Sequence, residues 1–373
     1  MAIIRLIIAG FLALGQILAP VGGWISTFGE DAYFTDWSAE DKFGTDDYIE
    51  LKKTPGEDFV VLNLADVQLD DDEQYDKLGE YAEDCIRKLV ADNEPDLITL
   101  SGDNAWGTMS YIELIKLVDS FGIPWAPVMG NHDGQGCMSE FWVAYLLDEA
   151  ENCLFQFGPK DMGYGNYIIN ITENGKIIHT YFMMDTHNNN EYELEDGTVV
   201  GAYDHLWPNQ LEWYEWAVKG IAAIAGHTVP STVVMHIPVV EYLDAWVLYT
   251  GDEDYMGEIS DVFGPLAYGG RYEFGGFPYT EVNGETVLLN NGFFDLCKKL
   301  GSTKDMLVGH DHVNDYSVMY EGIRLTYAVK TGFGAYYTED MLGGTTMHIN
   351  SFGINTIKQN YYDAAENGWV VEE

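Results

Sequence analysis

The chain has 373 residues, 47% of them hydrophobic and 14% aromatic, which supplies a sizeable core and excludes global disorder. With 61 acidic against 18 basic side chains the formal charge is −43, which argues against nucleic-acid binding as a main role. So few Arg and Lys can hardly neutralise a phosphate-bearing substrate, and metal ions are the natural replacement.

Reading from the start, one positive charge at Arg5 precedes an apolar run from Leu6 to Ala19, broken only by Gly10, Gly15 and Gln16. This pattern has the form of a secretory signal peptide and falls short of the roughly 20 apolar residues of a membrane span. Residues 1–23 are therefore read as a signal peptide or an uncleaved anchor, and the chain as secreted or extracytoplasmic. Membrane contact is expected only through this segment. Residues 24–54 are read as an N-terminal extension without clear periodicity, 55–350 as a single domain, and 351–373 as a tail packing on or following it. Of the four cysteines, Cys137 and Cys153 bracket a predicted helix and are the best candidate disulfide pair, with buried free thiols as the alternative. CxxC spacing is absent, which speaks against a thiolate zinc site.

Phe59 to Ala65 is a continuous apolar run, as expected of a strand covered on both faces. Helical spacing follows over 73–92, a strand over 97–100, a helix over 111–120, a strand over 125–129 and a helix over 139–147. This β-α-β-α-β rhythm predicts a parallel α/β core. Beyond it, 167–171 and 177–184 read as a hairpin closed by Asn174-Gly175. A helix opened by Pro208 covers 210–225, and a strand ends at His236. Residues 249–285 read as a long loop lining a cleft. Strands are expected at 306–308, 316–320 and 324–329.

Polar clusters recur where these strands end: Asp66-Val67-Gln68, Gly102-Asp103-Asn104, Gly130-Asn131-His132-Asp133, His236-Ile237-Pro238 and Gly309-His310-Asp311-His312. If the strands belong to one parallel sheet, these groups meet in one cleft at its carboxyl edge. Carboxylate, amide and imidazole donors without thiolate suit hard-to-borderline divalent cations. A lone carboxylate such as Asp103 is the natural bridge between two of them. Each cluster alone is a weak signal; five in order, all at strand ends, are hard to obtain by chance. His179, His205, His227 and His348 lack such context and read as core or surface histidines, and His187 as a turn residue.

In these clusters the sequence resembles the calcineurin-like metallophosphoesterases, over roughly residues 55 to 335. The stretches from His236 to Tyr242 and from Gly309 to Asn314 are similar to its extracellular branch, the Dcr2-type and purple-acid-phosphatase-like proteins. The resemblance implies a four-layer α/β/β/α sandwich with mixed sheets, whose strand-end loops form a dinuclear metal cleft. It implies two divalent ions, drawn from Mn, Fe, Zn, Mg or Ca. Asp66 and His312 would hold the first, with Gln68 nearby; Asp103 would bridge; Asn131, His236 and His310 would hold the second. His132 would stabilise phosphate and protonate the leaving group, with Asp133 orienting that imidazole or stabilising its charge. The implied reaction is hydrolysis of a phosphate mono- or diester, by a hydroxide bridging the metals, on a small phosphorylated substrate. Two positions depart from the family: Gln68 stands where His is usual, and Trp106 where purple acid phosphatases place a ligating Tyr. Gln68 motivates the alternative reading, a catalytically impaired metal-binding or scaffold protein.

Overall fold

Val61, Leu62 and Leu64 are fully buried, as an apolar run without polar alternation must be when both faces of its strand are covered. The computed structural model describes residues 30–72, 76–136, 138–194, 196–259, 267–268, 277–282 and 285–369. The apolar N-terminal run, Cys137 and most of the aromatic stretch between Tyr268 and Tyr279 lie outside them. Cys85, Cys153 and Cys297 are free thiols. Among the described residues no helix is long and apolar enough to cross a membrane.

The chain begins with β1 (Ile49–Lys52), β2 (Phe59–Leu64), α1 (Asp76–Asn93), β3 (Leu97–Ser101), α2 (Thr108–Asp119), β4 (Trp125–Val128) and α3 (Glu140–Asp148). Two hairpins follow, β5 (Tyr167–Glu173) with β6 (Lys176–Met183) and β7 (Asn189–Glu193) with β8 (Val199–Tyr203). Then come α4 (Pro208–Ala225), β9 (Ser231–Val234), α5 (Glu241–Thr250), β10 (Ala267–Tyr268), β11 (Tyr279–Val282), β12 (Glu285–Leu288) and α6 (Phe293–Leu300). The remainder is β13 (Thr303–Val308), β14 (Ser317–Tyr320), β15 (Ile323–Tyr327), β16 (Leu342–Ile349), β17 (Asn355–Tyr362) and α7 (Ala364–Asn367).

Thirteen of these strands form two mixed sheets, as the family resemblance implies and not the one parallel sheet that the rhythm suggests, while β7-β8 and β11-β12 stand as separate two-stranded ribbons. A five-stranded sheet runs β17-β16-β2-β3-β4, and an eight-stranded one β1-β5-β6-β9-β13-β15-β14-β10. The reason lies after α3, where the chain builds the β5–β6 hairpin and β6 then pairs parallel with β9. A second sheet thus starts with its own parallel core, β6-β9-β13-β15. Strict alternation makes the two sheets face each other. Tyr181, Met183, Val234 and Leu307 join the core around the five-stranded sheet, while Phe182, Val233, Met306 and Val308 join the core under α4, α5 and α6. With α1 and α2 covering the far side of the first sheet, the order is α/β/β/α. Both parallel cores point their carboxyl ends to one rim, which is where the polar clusters sit.

Several elements carried little sequence signal. β1 is a four-residue edge strand paired only to β5. β16 contains Gly343 and Gly344, poor strand formers taken into the sheet by pairing with β2 on one side and β17 on the other. In the acidic stretch at 70–72, Asp71 accepts hydrogen bonds from Met109 N (3.1 Å) and Ser110 N (2.6 Å) at the start of α2.

Asp305 shares the alternation of Leu307 in β13 and is buried, with Asn355 of the other sheet as a hydrogen-bond partner. Burial pushes its carboxyl from 3.8 up to about 7, against the pull of Arg324. The folded chain therefore keeps a proton that the unfolded chain releases earlier, and stability from this group falls as pH rises through that window. Asp305→Asn should lose less stability than the wild type between about pH 5 and about pH 8, read from urea midpoints; equal losses would contradict a raised carboxyl.

Candidate metal centre

Each polar cluster follows the last residue of a strand, so the sheets themselves aim it. From the five-stranded sheet, β2 delivers Asp66 and Gln68, β3 delivers Asp103, and β4 delivers Asn131, His132 and Asp133. From the eight-stranded sheet, β9 delivers His236 and β13 delivers His310 and His312. Asp66, Gln68, Asp103 and His310 all have positive φ (50°, 47°, 51° and 80°), a conformation that costs a non-glycine residue about 1–3 kcal/mol. Gly102, at φ 92°, lets the His236 ring approach so closely that a β-carbon would sit 2.5 Å from Nδ1.

His236 Nδ1 donates to the Ser101 carbonyl (2.8 Å), which turns Nε2 inward. There it meets Asn131 Oδ1 at 3.0 Å, Asp103 Oδ1 at 3.3 Å and His310 Nδ1 at 3.2 Å. His310 Nδ1 also lies 2.9 Å from Asn131 Oδ1. His312 Nδ1 donates to the Tyr336 carbonyl (2.9 Å), and its Nε2 stands 3.6 Å from Asp66 Oδ1. Oδ1 of Asp66 accepts from His310 N (3.0 Å), while Oδ2 is buried with no hydrogen-bond partner. Ligand atoms of Asp66, Asp103 and His236 all lie within 4.8 Å of one another. Acceptor lone pairs turned toward one another, with an orphaned carboxylate oxygen beside them, are what a divalent cation satisfies.

The family model for calcineurin-like phosphoesterases matches residues 59–314, which span every one of these ligand positions. The chain belongs to the calcineurin-like phosphoesterases. It is 27% identical over 280 residues to an Arabidopsis thaliana protein named "Probable inactive purple acid phosphatase 14", covering 67% of this chain and 62% of the relative. It is 25% identical over 342 residues to Phosphatase DCR2 of Saccharomyces cerevisiae, covering 84% of this chain and 54% of the relative. The chain thus matches somewhat over half the length of these curated relatives. Among solved structures, it overlays a dimetal phosphatase from Danio rerio with TM-score 0.44 at 11% identity, covering 81% of this chain and 98% of that one. A Mycobacterium tuberculosis phosphopantetheinyl hydrolase gives TM-score 0.37 at 13% identity, covering 74% and 91%.

This calcineurin-like centre is electrostatically demanding. Burial pushes the Asp66 carboxyl up to about 6. Burial acts on Asp103 in the same direction, but His236 beside it prevails and holds that carboxyl well below the usual range. Burial alone would lower His236; Asp103 overrides it and raises the imidazole to about 9. Positive charge is thus drawn to this point of the fold.

His132 is the accessible member of the set, its side chain 32% exposed against 1% for Asp103. Its backbone N–H donates to Asp103 Oδ1 (2.8 Å), and its Nε2 lies 3.9 Å from Asp103 Oδ2. Trp106 packs edge-on against the ring at 4.7 Å. The partner of Nδ1 is Gln135 Oε1 at 2.7 Å. Asp133, expected beside that imidazole, is turned the other way. Its carboxylate accepts from Gly130 N (2.7 Å), Asn104 N (2.7 Å), Ala105 N (3.2 Å), Asn104 Nδ2 (3.0 Å) and the Tyr111 hydroxyl. Four donors from two loops and one from α2 outcompete one solvent-facing imidazole, so Asp133 ties the β3 and β4 loops together.

Gln68 Nε2 donates to Asp103 Oδ2 (3.2 Å), and its Oε1 accepts from Lys330 Nζ (2.8 Å). Lys330 is a site residue that motif reading missed. Its one sequence signal is a basic residue just past a strand end in a chain that has 18 in all. Tyr203, at the end of β8 and edge-on to His310 at 4.5 Å, and Tyr336, stacked on His312 at 4.3 Å, were equally invisible, because the segments that bring them follow no motif. His187, read as a turn residue, has φ 62° and also stacks on Trp207 at 3.8 Å, with Nε2 2.9 Å from Gln210 Oε1. His179 is a core histidine, held by the Gly353 carbonyl and Thr232 Oγ1.

Asp133→Ala strands several buried donors, each worth about 1–3 kcal/mol when unsatisfied. It should cost at least about 3 kcal/mol in chemical denaturation, and Tyr111→Phe about 1 kcal/mol. A loss for Asp133→Ala no larger than that of Tyr111→Phe would refute the tethering role.

Proposed function

We propose that the chain hydrolyses small phosphate mono- or diesters in a cation-dependent reaction, with His132 as general acid. The observation that carries this reading is the position of a half-exposed imidazole directly over Asp103, the carboxylate shared by two donor sets. Asp66 and His312 make one set; Asn131, His236 and His310 make the other. Divalent cations held there supply Lewis acidity toward phosphate oxygens and lower the pKa of a bound water.

The side chains do the rest. The backbone hydrogen bond from His132 to Asp103 fixes the imidazole at the mouth of the cleft, and Gln135 accepts from Nδ1 in the protonated ring. Nε2 is then the atom that can hand a proton to a departing oxygen, a step worth about 10²–10⁴-fold. Trp106 shields one edge of the ring. The formal charge of −43 disfavours nucleic acids and other polyanions as substrates. The apolar N-terminal run supports export, with membrane contact confined to that segment.

One observation favours a second reading, a metal-binding protein with impaired catalysis: both polar atoms of the Gln68 amide are engaged within the chain. An aryl phosphate assay with Mn²⁺, Mg²⁺, Zn²⁺ and Ca²⁺ separates the two. Turnover with at least one of them is expected; metal bound without turnover under any would leave the second reading. His132→Ala should lower turnover by about 10²–10⁴-fold with metal content unchanged, and joint loss of metal and activity would sink the general-acid assignment.

A further inference from the structure

A cation already occupies one of the strand ends that meet at the cleft. Lys330 follows β15 and is only 2% exposed. Its Nζ donates to the Asp66 carbonyl (2.9 Å) and to Gln68 Oε1 (2.8 Å), so it points beneath the loop and away from any substrate. Gln68, itself 3% exposed, passes the connection on through Nε2 to Asp103 Oδ2 (3.2 Å).

This chain of hydrogen bonds has one polarity. An ammonium only donates and a carboxylate only accepts, so the amide between them has a single workable orientation. Rotating it would set NH₂ against NH₃⁺ and oxygen against carboxylate. The one atom of Gln68 able to ligate a metal is therefore already accepting from Lys330, so a cation there would have to share it with an ammonium. The Asp66 side of the centre is left with Asp66, Asp103 and His312 as donors, beside a buried positive charge that repels a second cation. The other side is complete: Asp103 Oδ1, Asn131 Oδ1, His236 Nε2 and His310 Nδ1 are linked by separations of 2.9 to 3.3 Å.

We propose that the centre is asymmetric: one divalent cation is held tightly by Asp103, Asn131, His236 and His310, and Lys330 acting through Gln68 weakens the Asp66–His312 position, which takes a second cation only loosely. Lys330 is thus a positioning residue that sets metal occupancy without touching substrate. The inference rests on the cation-dependent reading above.

Calorimetric titration of the chelator-stripped full chain with Mn²⁺ alone, without substrate, tests it. One equivalent should bind tightly and a second at least roughly 10–100-fold more weakly, the range by which outer contacts tune metal affinity. The double variant Lys330→Met with Gln68→His should bring the second affinity to within roughly 10-fold of the first. Two equally tight equivalents in the wild type overturn the proposal, as does a double variant that is folded by circular dichroism yet keeps the wild-type gap. If that variant does not fold, the wild-type titration decides alone. Two equal sites with hydrolysis would overturn the asymmetry and spare the hydrolase reading. One tight site without hydrolysis under any cation would do the reverse, and no binding at all would overturn both.

Discussion

Everything at this rim is arranged around the burial of Asp103. A carboxylate almost withdrawn from water is tolerable only when donors or cations surround it. Here they come from three directions: the His132 backbone, the Gln68 amide and the His236 imidazole. His236 belongs to the other sheet, and its ring is also tied to the Ser101 carbonyl, two residues before Asp103. The same short segment therefore locks the two sheets in mutual register. The sandwich and the metal centre share one set of contacts, and neither can shift without the other.

Holding such a centre requires unfavourable backbone geometry. Four site residues adopt positive φ, and a close glycine contact seats the His236 ring. Strain of this kind persists only where the surroundings over-determine it. The surroundings in question are the two strand cores and the Asp133 cage, which fastens Gly130, Asn104, Ala105 and Tyr111 to one carboxylate. Asp133 thus supports the site from below, while the more exposed Gln135 faces the imidazole that has to move a proton.

The substitution of an amide for an imidazole at position 68 has a structural counterpart at position 330. A buried ammonium beside carboxylates is itself a charge-compensating device, and it sits at the end of a strand on the same rim as the metal donors. Lys53 and Lys330 are both buried, but Lys53 pairs with Glu173, whereas Lys330 is hydrogen-bonded to Gln68 and to the Asp66 carbonyl at the donor set. Aromatic rings of Trp106, Tyr203 and Tyr336 pack against His132, His310 and His312.

Local sequence sufficed for much of this. Apolar runs ending in Asp66, Asp103, Asn131, His236 and His310 determined the central strands and which polar groups stand at their ends, because a strand buried on both faces leaves no other pattern and its last residue has nowhere to go but the rim. The family motif likewise followed from order and spacing. That two sheets share the work was legible only through the family resemblance and not in the periodicity, since a change of sheet leaves no mark there. Tertiary structure alone decided that Gly-rich 342–349 is a strand, by pairing it on both sides. It turned Asp133 away from His132 and brought Lys330 under Gln68, because hydrogen-bond partners are chosen by distance and direction between separate loops, 29 residues apart for Asp133 and Asn104 and 262 for Lys330 and Gln68, and neither quantity is written in the order of the chain.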